Sequence, residues 1–261
     1  MKRTNTLIIG IAACAIAISG ASFALDGEQR PLYVSVDCMK STSADYTSVE
    51  TEIWQAMHQE LVNQGKRNSW ALYRVMYGDR SKCDYYTVTT LLGHEQLNGS
   101  PSIGEIFKTV YPDGDLAEAM ARTWASRQHV ATELWVAVDV TEIKEHRFAV
   151  VNMMNAADPD AYERMESQVF KSGHQALLDG GHRAGWGMYA LVTPIGTSIP
   201  YNYSTVDFSN YLNPVPMAEA MLLANPNRDL EEMHDLLALR EQVSSQTWVL
   251  VAATQRPIRG K

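Results

Sequence analysis

Leu32–Met39 (LYVSVDCM) alternates apolar and polar side chains and is rich in β-branched residues, the period-two mark of a strand with one buried face. The period then changes. Val49, Ile53, Met57 and Leu61 recur at helical spacing within Tyr46–Gln64, and Gly65 stands where a helix C-terminus favours glycine. Trp70–Tyr77 and Tyr85–Leu91 return to the strand pattern on either side of the polar turn Gly78-Asp79-Arg80-Ser81. Leu116–Thr132 reads as a second helix and Leu134–Val140 as a fourth strand. The same β-α-β-β-α-β order follows again in Phe148–Met154, Tyr162–Gly180, Trp186–Thr193, Tyr203–Phe208, Asp229–Ser245 and Thr247–Ala253.

The recurrence extends to residue identity. An offset of 116 lays Tyr46–Tyr73 on Tyr162–Tyr189 with nine identities in 28 positions, where chance gives about two. They include Glu50/Glu166, His58/His174, Arg67/Arg183, Trp70/Trp186 and Tyr73/Tyr189. An offset of 113 later matches Arg127 with Arg240 and Trp135 with Trp248. The chain therefore divides into residues 25–141 and 146–256, two repeats of one unit, with too short a connection between them to act as a flexible linker.

Each repeat has the ferredoxin-like order. Two right-handed crossovers give a sheet of strand order 4-1-3-2 with both helices on one face. The other face carries Val, Tyr, Thr and Trp and must be covered. The expectation is an α+β fold in which two antiparallel four-stranded sheets pack face to face with helices outside. This arrangement resembles the dimeric α/β-barrel superfamily, fused here as a tandem pseudo-dimer, which implies a monomer. The resemblance implies activities that range over cofactor-free monooxygenases of aromatic polyketides, polyketide cyclases and haem enzymes such as chlorite dismutases. None of their residue patterns carries over to this chain.

Net charge changes the picture by exclusion. The 261 residues hold 22 Lys and Arg against 30 Asp and Glu, a formal −8, which disfavours nucleic acid as a partner. Lys2 and Arg3 before the apolar run Leu7–Ser19 read as an export signal cleaved after Ala24, which places the protein in the periplasm or outside the cell. The run is short for a membrane span. A loose lipobox at Cys14 is the minor alternative, a lipoprotein. Two cysteines remain after cleavage. Strands 1 and 3 are antiparallel neighbours, Cys38 is near the end of one and Cys83 just before the other, so the element order favours a disulfide over two separate buried thiols.

The helical wheels place charge on inward faces. Glu50 and Glu166 fall within the apolar arcs of their helices, and Arg127 and Arg240 within those of the second helices, so Glu50–Arg127 and Glu166–Arg240 contacts are expected. Two readings stand: internal salt bridges that set helix register, or arginines that anchor a ligand carboxylate beside acids able to shuttle a proton. Glu50, Trp54 and His58 form a stripe at four-residue spacing, repeated as Glu166, Phe170 and His174. A histidine there is a general base, a haem ligand or simply hydrogen-bonded. A spacing of eight on one helix does not clamp a metal, and no third ligand is evident. Trp70 and Tyr73, like Trp186 and Tyr189, point to opposite faces of their strand, as core or as the wall of a pocket for a flat ligand. Asp37 interrupts its apolar strand, and the offset of 116 pairs it with Met153. The reading that follows is an exported protein that binds a small organic molecule, apolar or aromatic and able to carry negative charge, between helices and sheet. No cofactor is required. The alternatives are an enzyme of the superfamily, cofactor-free or haem-dependent, and a purely structural or interaction module.

Overall fold

The computed structural model describes residues 22–25, 28–99, 101–212 and 215–255. Lys2, Arg3, the run Leu7–Ser19 and Cys14 lie outside them, and Ala24 falls within the short strand β1 (Ser22–Leu25), which pairs with β2. In the first repeat, β2 (Glu28–Ser41) leads into helix α1, which is α-helical over Tyr46–Val49, π-helical over Glu50–Trp54 and α-helical again over Gln55–Asn63. β3 (Ser69–Tyr77) and β4 (Tyr85–Leu92) follow, then α2 (Gly93–Asn98), α3 (Ile103–Val110), α4 (Leu116–Ser126) and β5 (Arg127–Val140). The second repeat holds β6 (Phe148–Asn155) and α5, whose three parts are Pro159–Met165, a π-helical Glu166–Phe170 and Lys171–Asp179. It continues with β7 (Gly185–Thr193), β8 (Tyr203–Ser209), α6 (Met217–Ala224), α7 (Leu230–Leu237) and β9 (Glu241–Ala253). The same backbone device ends α1 and α5: Gly65 and Gly181 adopt φ of +67° and +73°, which an L side chain disfavours.

The expected pair of stacked sheets is not what forms. The strands run β2-β4-β3-β9-β6-β8-β7-β5, and β5 pairs back to β2, so eight antiparallel strands close into one barrel. Within each repeat the order 4-1-3-2 is kept, as β5-β2-β4-β3 and β9-β6-β8-β7. The difference lies at the edges. Stacked sheets leave four rows of unpaired backbone groups, whereas β3–β9 and β5–β7 pairing joins each repeat to the other and leaves none. The helix-free faces still meet, across the barrel lumen. Leu32, Val34, Trp135 and Ala137 pack there with Tyr189, and Tyr73 and Val75 with Ala149, Val151 and Trp248.

The second helices are shorter than the sequence pattern predicts. α4 stops at Ser126, and Arg127 is the first residue of β5, paired with Ser41. β2 is 14 residues long and presents backbone as far as Ser41, and pairing it wins over the helical spacing of Arg127 and Val130. Arg240 likewise follows α7 and immediately precedes β9.

Cys38 and Cys83 form a disulfide, with Cα atoms 5.5 Å apart and a sequence separation of 45. Replacing both by serine is expected to lower stability by about 4 kcal/mol through loop entropy, read as a fall in the urea midpoint. An unchanged midpoint contradicts this.

Candidate functional site: a cleft in the first repeat

α1 lies across the outer face of the barrel wall, and the π-helical turn at Glu50–Trp54 determines what it presents. Four-residue spacing drifts around an ordinary α-helix, whose turn holds 3.6 residues. A wider π turn advances less per residue and winds that drift back. Glu50, Trp54 and His58 consequently face one space, a cleft of about 380 Å³ between α1, the wall and the segments before β5. Ser35 and Asp37 of β2 and Thr87 and Thr89 of β4 line its wall side. Trp70 and Arg67 border it beside His58, and Ile103, Met120 and Trp124 on the side of the later helices. Trp124 is 71% exposed and Ile103 52%, an apolar rim open to solvent.

Glu50 bonds Arg127, whose guanidinium also lies 5.9 Å above the Tyr46 ring. Burial pushes the Glu50 carboxyl up to about 7, against the opposing pull of Arg127. Trp54 Nε1 donates to Thr123 Oγ1 at 2.9 Å. His58 stacks on Trp70 with centroids 4.7 Å apart and rings inclined by 12°. Its Nδ1 is 2.5 Å from Arg67 Nη1. A guanidinium only donates, so Nδ1 is the acceptor and the ring proton sits on Nε2. Burial, then Arg67 and Arg127, hold His58 well below the usual histidine range, which keeps it neutral. Asp37 accepts from Thr132 at 2.5 Å and from Thr87 at 3.3 Å, and His129 Nε2 is 3.4 Å away.

The second repeat reproduces much of this around a filled core. His174 stacks on Trp186 at 4.6 Å and 17° and bonds Arg183, and Arg240 Nε lies 3.2 Å from Glu166. Burial likewise raises Glu166 to about 7. Here, however, Met154, Met188, Met221 and Met233 pack with Phe170 and Trp186 into a buried cluster. α6 lies close against α5, because a β-carbon placed on Gly173 meets Met221 Sδ at 2.7 Å. The first repeat has Met57 at this position.

The structure thus gathers Glu50, Trp54, His58, Trp70 and Arg127 around one cleft. It places Glu166, Phe170, His174, Trp186 and Arg240 at the closed counterpart. Tyr73 and Tyr189 belong to the lumen, where the Tyr73 hydroxyl meets His146 Nε2 at 2.8 Å. The counterpart of Asp37 is Asn152, not Met153: Asp37 faces Thr87 and Thr132 across the ladders, and Asn152 faces Thr205 and Ser245. Sequence reasoning passed over Arg67, Thr87, Thr89 and Trp124. Arg67 carried a signal, its identity with Arg183, but it lies past the helix whose wheel was read.

No family model matches the chain, and no curated protein matches it. Solved structures do. A candidate monooxygenase from Lactobacillus acidophilus NCFM aligns over 87% of this chain and 97% of its own, with TM-score 0.52 and 9% identity. Another, from Fusobacterium nucleatum subsp. nucleatum, aligns over 87% and 95%, with TM-score 0.50 and 7% identity. A candidate chlorite dismutase is more distant, with TM-score 0.40 and 12% identity over 85% and 95%. At these identities the likeness is one of fold. The chain has the dimeric α/β-barrel fold, with both halves of the barrel supplied by one polypeptide.

Proposed function

We propose that this protein, exported and acting as a monomer, binds a small aromatic molecule in the cleft of its first repeat. One observation carries the reading: the space is open and lined by aromatic and polar groups in one repeat, and filled by methionines in the other. Duplication supplies an internal control, since groups shared by both repeats serve the common framework and those particular to the open repeat serve the ligand. The cleft volume lies at the small end of the usual range of about 300–1,000 Å³, which suits a molecule of one or two rings. A porphyrin fits less well. His58 lies flat on Trp70 with Nδ1 accepting from Arg67, which leaves the ring proton on Nε2.

Turnover of the bound molecule is the second reading. Two fold relatives carry the name monooxygenase, and Glu50, raised to about 7, borders the cleft as a proton acceptor. Glu166 has the same shift beside a packed methionine cluster, which favours binding alone. Titration with 2-naphthol, followed by tryptophan emission, tests the proposal. Saturable one-to-one binding is expected, and it should be lost in Met120→Trp, which fills the cleft. Absence of binding, or full binding by a folded Met120→Trp, contradicts it.

A further inference from the structure

The open cleft holds a cation that its closed twin neutralises. In the second repeat Arg183 Nη1 lies 2.8 Å from Asp207 Oδ1, and Asp207 faces Trp186 across the β7–β8 ladder. The matching rung of the first repeat sets Thr89 opposite Trp70. The arginine and its histidine partner are repeated, but a hydroxyl replaces the acid. Among the described residues no carboxylate lies within 4.0 Å of Arg67, and its hydrogen bond goes to the neutral His58. The other acids of the cleft are engaged: Glu50 with Arg127, and Asp37 with two threonine hydroxyls beside His129. Asp37 acts on Arg67 only through space, against a burial that penalises the guanidinium charge. Lys66 at the same cleft has the same sign. In a chain of net charge −8 this is a local reversal of the overall field.

A partly buried guanidinium without a counterion is costly, and its fork matches a carboxylate. We propose that Arg67 captures the carboxylate of an aromatic acid bound in the cleft, with the Thr89 hydroxyl beside it as a second donor. This rests on the binding reading above and narrows it to aryl carboxylates. Arg127, the arginine marked out by sequence, is instead occupied by Glu50 in the same way that Arg240 is occupied by Glu166.

The test compares 2-naphthoate with its neutral analogue 2-naphthylmethanol by calorimetry at pH 7.5. The wild type is expected to prefer the carboxylate by at least about tenfold, the size of one charge-assisted hydrogen bond. Thr89→Asp recreates the pairing of Arg183 with Asp207 and should remove that preference, read as the ratio of the two affinities within the variant. Arg67→Gln should do the same, and Thr89→Ser should keep the preference. Circular dichroism confirms the fold of each variant, and Thr89→Asp decides if Arg67→Gln does not fold. Equal binding of the two probes by the wild type, or a preference that survives in folded Thr89→Asp, overturns the assignment and leaves the cleft's binding role standing. Failure of both probes to bind removes the binding role and the assignment with it.

Discussion

At pH 9, where Arg127 holds Glu50 ionised, Arg127→Ala is expected to destabilise the fold by about 3 kcal/mol, because it strands a buried carboxylate. Glu50 is 1% exposed, and it pairs with Arg127. Removing the guanidinium pushes the Glu50 carboxyl still higher, so at this pH it either remains charged without a counterion or holds a proton against the solvent. Glu50→Gln should cost much less, since an uncharged amide still accepts from Arg127, whose side chain is 19% exposed and reaches water. The double variant Glu50→Gln, Arg127→Met should recover most of what Arg127→Ala loses. Arg240→Ala should match Arg127→Ala, since Glu166 is 2% exposed. Urea denaturation checks all four. Equal costs for Arg127→Ala and Glu50→Gln contradict the argument.

Stability against pH is the second large effect, and its sign follows from opposed groups. Glu50 and Glu166 rise from an ordinary 4.5 to about 7, so the folded state holds their protons through that window and they lose stabilisation as pH rises across it. His58 falls well below its ordinary 6.5 and His174 to about 2, mainly by burial, so the unfolded state gains protons below 6.5 and stability falls with decreasing pH. Between about 4.5 and 6.5 the two glutamates and two histidines offset one another. Asp207, raised from 3.8 by burial, acts with the glutamates, so only below 3.8 are all three carboxyls protonated in both states and the histidines unopposed. Each contributes about 1.4 kcal/mol per pH unit there. His146, lowered by burial, adds in the same direction. Urea midpoints should therefore be nearly level from pH 5 to 6.5 and fall most steeply below 3.8. His58→Gln with His174→Gln should flatten the acid limb. An acid limb unchanged by that pair shows that these histidines do not carry it.

Much of the architecture is written in the pattern of side chains. Alternation in Leu32–Met39 and helical spacing from Val49 to Leu61 follow from which faces are buried, and the repeat of Glu50, His58 and Trp70 exposes the duplication. Barrel closure is not written there. Stacked sheets and a closed barrel hide the same side chains, and they differ only in backbone pairing at β3–β9 and β5–β7. The end of α4 at Ser126 escaped for a related reason, because the long ladder to β2 decides it rather than the spacing around Arg127. Part of the candidate cleft was legible: Glu50, Trp54, His58, Trp70 and Arg127 all line it. The difference between the repeats was not. It depends on Met57 against Gly173 and on Thr89 against Asp207, and the latter pair aligns only once the strand register is known.

The six tryptophans provide the most direct test of the asymmetry between the repeats. Trp54, Trp70 and Trp124 border the cleft, whereas Trp186 lies in its filled twin and Trp135 and Trp248 in the lumen. Their indole N–H signals can be followed by heteronuclear NMR as 2-naphthoate is added. The first three should move together along one saturating curve while Trp186 stays fixed. Movement of Trp186 in their place, or no movement of any of the six, contradicts a working cleft in the first repeat.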